Sequence, residues 1–206
     1  MSAVVRSVAL GGALVAGPVE SLRGDDATLL APAARESATL AAGPVEQPLK
    51  LRFGAADSMR LNILGAYAND FDDASQASAG VGFSWFFVDD LSLDLEFLGA
   101  GIFQPGPDTA AFNGNLLFRW HAVSRERWSL YFEAGAGLLF AGEDVPQGGT
   151  PVNFTPQAGF GTTFDIGDDT RLIIGVRWYH ISNARASRDN PGRDSLMFVV
   201  GLSLPF

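Results

Sequence analysis

The segment 171-RLIIGVRWYHISNARASRDNPGRDSLMFVVGLSLPF-206 decides the fold, because it holds two strands of period two and the polar loop between them. In the first strand Leu172, Ile174, Val176 and Trp178 share one face, and His180 and Ser182 continue that row, while Arg171, Gly175, Arg177 and Tyr179 take the other. In the second strand Leu196, Phe198, Val200, Leu202, Leu204 and Phe206 line one face, with Asp194 just ahead of them in the same parity, and Ser195, Gly201 and Ser203 lie opposite. Residues i and i+2 of a strand stand about 6.6 Å apart on one face. A histidine, a serine and a carboxylate therefore gather at one end of an apolar face.

The same alternation recurs upstream. It runs through 60–69, 78–87, 91–103, 112–121, 128–140 and 152–166, which with the two strands above makes eight. Leu91, Leu93, Leu95 and Phe97, for instance, alternate with Ser92, Asp94 and Glu96. Connections at 88–90, 123–127 and 167–169 are short, and those at 70–75, 104–110, 141–150 and 184–193 are longer. Strict alternation of short and long connections predicts an all-β, eight-stranded antiparallel up-and-down β-barrel, with its short turns at the periplasmic end of a membrane. One face is almost uninterrupted in large apolar and aromatic groups, with Trp and Phe near strand ends. The other carries Asp94, Glu96, Arg119, His121, Glu133 and Arg177. Apolar outward and charged inward is the pattern of a transmembrane barrel rather than of a soluble lipid-binding one. The ending Leu202-x-Leu204-x-Phe206 resembles the C-terminal aromatic signature of bacterial outer-membrane barrels.

Composition sets outer bounds. A chain of 206 residues with 47% hydrophobic residues fits one domain, and the absence of cysteine removes disulfides, thiolate metal sites and cysteine nucleophiles. A net charge of −9, without any cluster of Lys or Arg, disfavours nucleic acid as a partner. No run of eighteen apolar residues is present for a spanning helix. Residues 1–17 read as a signal peptide with a single Arg6, or else as a flexible start. Residues 18–54, rich in Ala, Pro and charge, read as a linker or disordered arm, and the barrel occupies 55–206. Nothing in the sequence opposes a homodimer.

On the expected topology His180 and Ser182 lie near the outer rim, facing lipid. A serine nucleophile needs a base, and the base needs an acid to orient it. His180 is placed to take the Ser182 proton and Asp194 to accept from the other ring nitrogen, and a developing oxyanion has Asn183 and Asn190 as nearby side-chain candidates alongside backbone N–H groups of the loop. A water-soluble substrate has no need of such a group in the lipid-facing wall, whereas a lipid of the outer leaflet does. His121 is expected inside, paired with a carboxylate. Gly135, Gly137, Gly159 and Gly161 sit within strands with no following helix, so they make room in a narrow barrel rather than cradle a nucleotide. The Asp72-Asp73, Asp89-Asp90 and Asp168-Asp169 pairs suit turns.

The run His180-Ile181-Ser182-Asn183-Ala184, followed by Asn190-Pro191-Gly192 and Asp194, resembles the active-site signature of the lipid A 3-O-deacylase family, whose members are eight-stranded outer-membrane barrels. The resemblance spans about 55–206 and is motif-specific over 177–195. It implies Ser182 as nucleophile, His180 as general base and acid, Asp194 as orienting acid, and Asn183 and Asn190 on the oxyanion side. It further implies hydrolysis of the 3-O-linked acyl chain of lipid A, so that lipopolysaccharide is the partner, with no metal or cofactor. Two positions depart from the pattern. The acid is commonly Glu and is Asp194 here, and Arg185 stands where a glycine often follows Asn-Ala. The competing class is a non-enzymatic structural or adhesive small barrel.

Overall fold

The computed structural model describes residues 52–187 and 189–206. The expected signal segment 1–17 and most of the arm 18–54 lie outside the described residues. Among the described residues nine strand segments follow one another: β1 (Ser58–Asn69), β2 (Ser75–Val88), β3 (Leu91–Phe103), β4 (Thr109–Ser124), β5 (Trp128–Val145), β6 (Thr150–Phe154), β7 (Gln157–Gly167), β8 (Thr170–Ile181) and β9 (Arg193–Pro205). Each pairs antiparallel with its neighbour in space, β1 pairs with β9, and β4 with β5, so the sheet closes on itself. Segments β6 and β7 both pair with β5 and form one barrel strand, interrupted at Thr155-Pro156. The wall is thus the eight-stranded up-and-down barrel expected from the alternation, and β6 meets its second neighbour, β8, through a single bridge.

Burial follows parity. Along β8, Arg171, Ile173, Gly175, Arg177, Tyr179 and Ile181 are buried, and Ile174 and Trp178 are exposed. The outer surface carries large apolar groups on every strand. Trp85, Trp120, Trp128 and Phe164 stand near the short-turn end, and Phe103, Phe112, Phe140, Phe154 and Trp178 near the long-loop end. Two aromatic rims bounding an apolar band fit a bilayer, in which a closed barrel satisfies every backbone polar group within the protein.

The interior is filled by ion pairs. Arg177 donates two hydrogen bonds to Glu96, at 2.9 and 2.7 Å, and two to Glu133, at 2.6 and 3.3 Å. Arg119 meets Asp94 at 2.7 Å and Glu133 at 2.8 Å. Two guanidinium groups thereby serve three carboxylates, and Gln157 adds a contact of 3.1 Å to Arg177. Tyr131 is packed between β7 and β8. A Cβ on either Gly161 or Gly175 would collide with its hydroxyl, so part of the in-strand glycine content is space for interior side chains.

His121 is interior, as expected, but its partner is not a carboxylate. Its Nδ1 bonds the Ser129 hydroxyl at 2.8 Å, and its ring packs against Phe53, Phe86 and Tyr131. The nearby carboxylates are already held by Arg119 and Arg177, which outcompete a neutral imidazole. At the short-turn end the buried Phe53 lies under the guanidinium groups of Arg171 and Arg60, 4.0 and 5.1 Å from its ring centre. Arg52 beside it reaches Asp90 at 2.9 Å. The described part of the 18–54 segment, residues 52–54, therefore packs into this mouth of the barrel. Asp90, Asp168 and Asp169 adopt positive φ in the short turns, a conformation Asp tolerates better than most residues.

Candidate active site

Antiparallel register sets the site. The β8–β9 ladder pairs Trp178 with Leu196 and places His180 directly across from Asp194, so these two outward-facing side chains fall within reach. His180 Nδ1 lies 2.8 Å from Asp194 Oδ1. That contact leaves Nε2 as the ring nitrogen open to a proton-transfer partner. The imidazole is half-buried, its side chain 24% exposed against 66% for Asp194.

Ser182 follows the end of β8. Its main chain pairs with Phe154, with N–H donating at 3.1 Å and C=O accepting at 2.8 Å, and the His180 N–H donates to the Pro156 carbonyl at 3.0 Å. Proline has no N–H to return, so the β7–β8 ladder stops at Gln157–Tyr179 and Ser182 is held by a single bridge beyond it. His180 and Ser182 share the outward parity. Among the described residues Ser182 Oγ forms no hydrogen bond with the imidazole. Unliganded sites often hold this contact long and shorten it around substrate.

The two asparagines are used differently. Asn183 is buried, and its carboxamide ties the loop: Nδ2 donates to the Asp189 carbonyl at 2.8 Å and Oδ1 accepts from the Arg185 N–H at 2.9 Å. Asn190 Oδ1 accepts from the Asn183 N–H at 2.9 Å. Because a main-chain N–H must meet an oxygen, that bond fixes the Asn190 amide orientation and presents its NH₂ elsewhere. Asn183 secures the loop, and Asn190 is joined to it through the Asn183 N–H.

Arg185 explains itself through backbone geometry. Ala184 and Arg185 have φ of 51° and 65°, in the left-handed region that costs an L-residue about 1–2 kcal/mol. The glycine common at the second position in the resembling family removes that cost. Arg185→Gly is therefore expected to raise stability by about 1 kcal/mol, measured as a shift in the urea midpoint of the refolded protein.

Two contributions escaped the sequence reading. Trp178 Nε1 donates to Asp194 Oδ1 at 2.8 Å, and its ring stacks on His180 at 5.8 Å between centroids with 25° between planes. Counting the register would have found it, since residue 178 is the diagonal neighbour of 194 once 180 and 194 are opposite. Gly192 was part of the quoted motif but had no role. A Cβ there would stand 3.0 Å from His180 Cε1 and 3.4 Å from Nε2. Gly192→Ala is expected to push the imidazole aside by a few tenths of an ångström, read as a shift of the His180 Cε1–H proton resonance relative to the unmodified protein.

With this geometry in place, comparison with protein families is decisive. The family model described as lipid A 3-O-deacylase (PagL) matches residues 75–203. The chain belongs to that family. The match includes His180, Ser182 and Asp194, and family members act on lipid A in the outer membrane. Solved structures share the fold. The outer-membrane enzyme PagL is 18% identical, covering 71% of this chain and 99% of its own, with a TM-score of 0.56. Neisserial surface protein A is 15% identical over 72% of this chain and 96% of its own, with a TM-score of 0.54. OprG of Pseudomonas aeruginosa is 14% identical over 74% and 98%, with a TM-score of 0.52. Comparison with curated protein sequences returns no match. The deacylase family match and the apolar-walled barrel together make this a protein of the bacterial outer membrane.

Proposed function

We propose that this chain is a serine esterase that hydrolyses the 3-O-linked acyl chain of lipid A, with Ser182 as nucleophile, His180 as general base and acid, and Asp194 as the orienting acid. The observation that carries the reading is the 2.8 Å His180 Nδ1–Asp194 Oδ1 contact on the outward wall, in the parity row that Ser182 continues. Asp194 fixes the imidazole with Nδ1–H toward the carboxylate and Nε2 basic, and it stabilises the imidazolium formed during the reaction.

The steps follow from these roles. Nε2 takes the Ser182 hydroxyl proton as Oγ attacks the ester carbonyl, and the carbonyl oxygen becomes an oxyanion. The Asn190 NH₂ is its side-chain donor, alongside main-chain N–H groups of the loop other than those of Asn183, Arg185 and Ala186, which the loop itself uses. The C–O bond to the sugar then breaks, and the imidazolium gives its proton to the departing sugar oxygen. Water, deprotonated by the same imidazole, attacks the acyl-serine. Collapse returns the proton to Ser182 and releases the fatty acid.

The test is mass spectrometry of lipid A from cells that express the chain. Loss of one acyl group from position 3 is the expected result. Unaltered lipid A, with folded protein recovered from the outer membrane, would favour the structural or adhesive barrel instead.

A further inference from the structure

Asp194 presents a difficulty for any acid that must orient a base. Its side chain is short and 66% exposed, and an exposed ion pair alone orders two side chains weakly. The structure supplies a second anchor. Trp178 Nε1 and His180 Nδ1 both reach the same oxygen, Asp194 Oδ1, each at 2.8 Å. The two donors sit two residues apart on β8, and the acceptor is on β9 directly across from His180. Three points of one ladder thus define where the carboxylate stands.

We propose that Trp178 is a positioning residue, whose indole N–H holds the Asp194 carboxylate against His180. The inference rests on the triad proposed above. An indole N–H is a donor only, so it fixes the carboxylate without competing for the imidazole as an acceptor would. The stacked ring also limits rotation of the imidazole about its Cβ–Cγ bond, so one side chain restrains both members of the pair. A tryptophan at a membrane rim ordinarily turns its N–H to water or lipid head groups. Here the N–H is committed to the acid.

Trp178→Phe separates the two functions, since it keeps an aromatic ring and removes the N–H. The variant is made alone and in the Asp194→Ala background, and lipid A ester hydrolysis is followed in detergent micelles. Trp178→Phe alone is expected to lower kcat about tenfold, the rate equivalent of one hydrogen bond to a charged group, with KM within about twofold. In the Asp194→Ala background the same change is expected to alter kcat by less than about twofold, because the group it acts through is gone. Equal losses in both backgrounds, or no loss in the otherwise unmodified protein, would overturn the proposal. A second measurement needs no tryptophan variant. The Trp178 Nε1–H proton resonance is expected to move upfield in Asp194→Ala, and an unmoved resonance overturns the assignment. Ser182→Ala with full activity marks a different failure, that of the triad itself.

Discussion

Ser182→Ala is expected to reduce lipid A deacylation by a factor on the order of 10⁴ or more while the barrel folds as before. Removing the nucleophile of a serine triad leaves only binding and oxyanion donors, and losses of this size or larger are usual. Structural cost is small because Ser182 closes its local pairing through main-chain atoms, to Phe154, and the substitution leaves those intact. The measurement is mass spectrometry of lipid A beside wild type, with heat-modifiable gel mobility as the test of folding. Activity that survives the substitution would remove Ser182 from the mechanism.

Arg177→Met is expected to destabilise the barrel by about 3–5 kcal/mol. Arg177 is almost fully buried and holds Glu96 and Glu133 through two bonds each. Without it, Arg119 alone faces Asp94, Glu96 and Glu133, and uncompensated carboxylates remain in a closed lumen. Breaking one partner of a buried ionic cluster costs in that range because the others stay desolvated. The check is urea unfolding of the protein refolded into lipid vesicles. Adding Glu133→Gln to Arg177→Met is expected to recover part of the loss by removing one of the stranded charges. A midpoint unchanged by Arg177→Met would mean that the interior ion pairs contribute nothing to the wall they bridge.

The barrel was legible because lipid imposes one rule on every strand, and parity in sequence became parity of face in space. The rule fades where the wall leaves the bilayer. Strand β5 continues to Val145, well past the point where alternation ends, since Gly142, Glu143 and Asp144 project beyond the apolar band. Nor does parity register the break at Thr155-Pro156. Phe154 and Ala158 are exposed while Thr155 and Gln157 are buried, so the alternation passes through the interruption unchanged. Only the missing proline N–H signals it, and the same break isolates the Ser182 bridge.

Partners across the lumen were less readable. Which interior side chains meet depends on the stagger of the closed sheet, so the sharing of Glu133 between Arg119 and Arg177 could not be deduced from strand patterns, nor could the Ser129 partner of His121. Within one hairpin the situation is different. Parity alone brings His180 and Asp194 to one end of one face, and they stand opposite in the β8–β9 register. The quoted motif brought Asn183 and Asn190 forward as equals. Their hydrogen bonds differ: the Asn183 amide secures the loop through both its ends, whereas among the described residues Asn190 bonds through its Oδ1.

Trp178, His180 and Asp194 stand on the outside of the wall rather than in a mouth of the barrel. A molecule that meets them arrives sideways, travelling within the leaflet. Its supply is counted in molecules per unit area, and encounter frequency follows lateral diffusion in two dimensions. Adding buffer leaves that frequency alone. Adding inert lipid or detergent lowers it, so the saturation constant of such a site is properly a mole fraction.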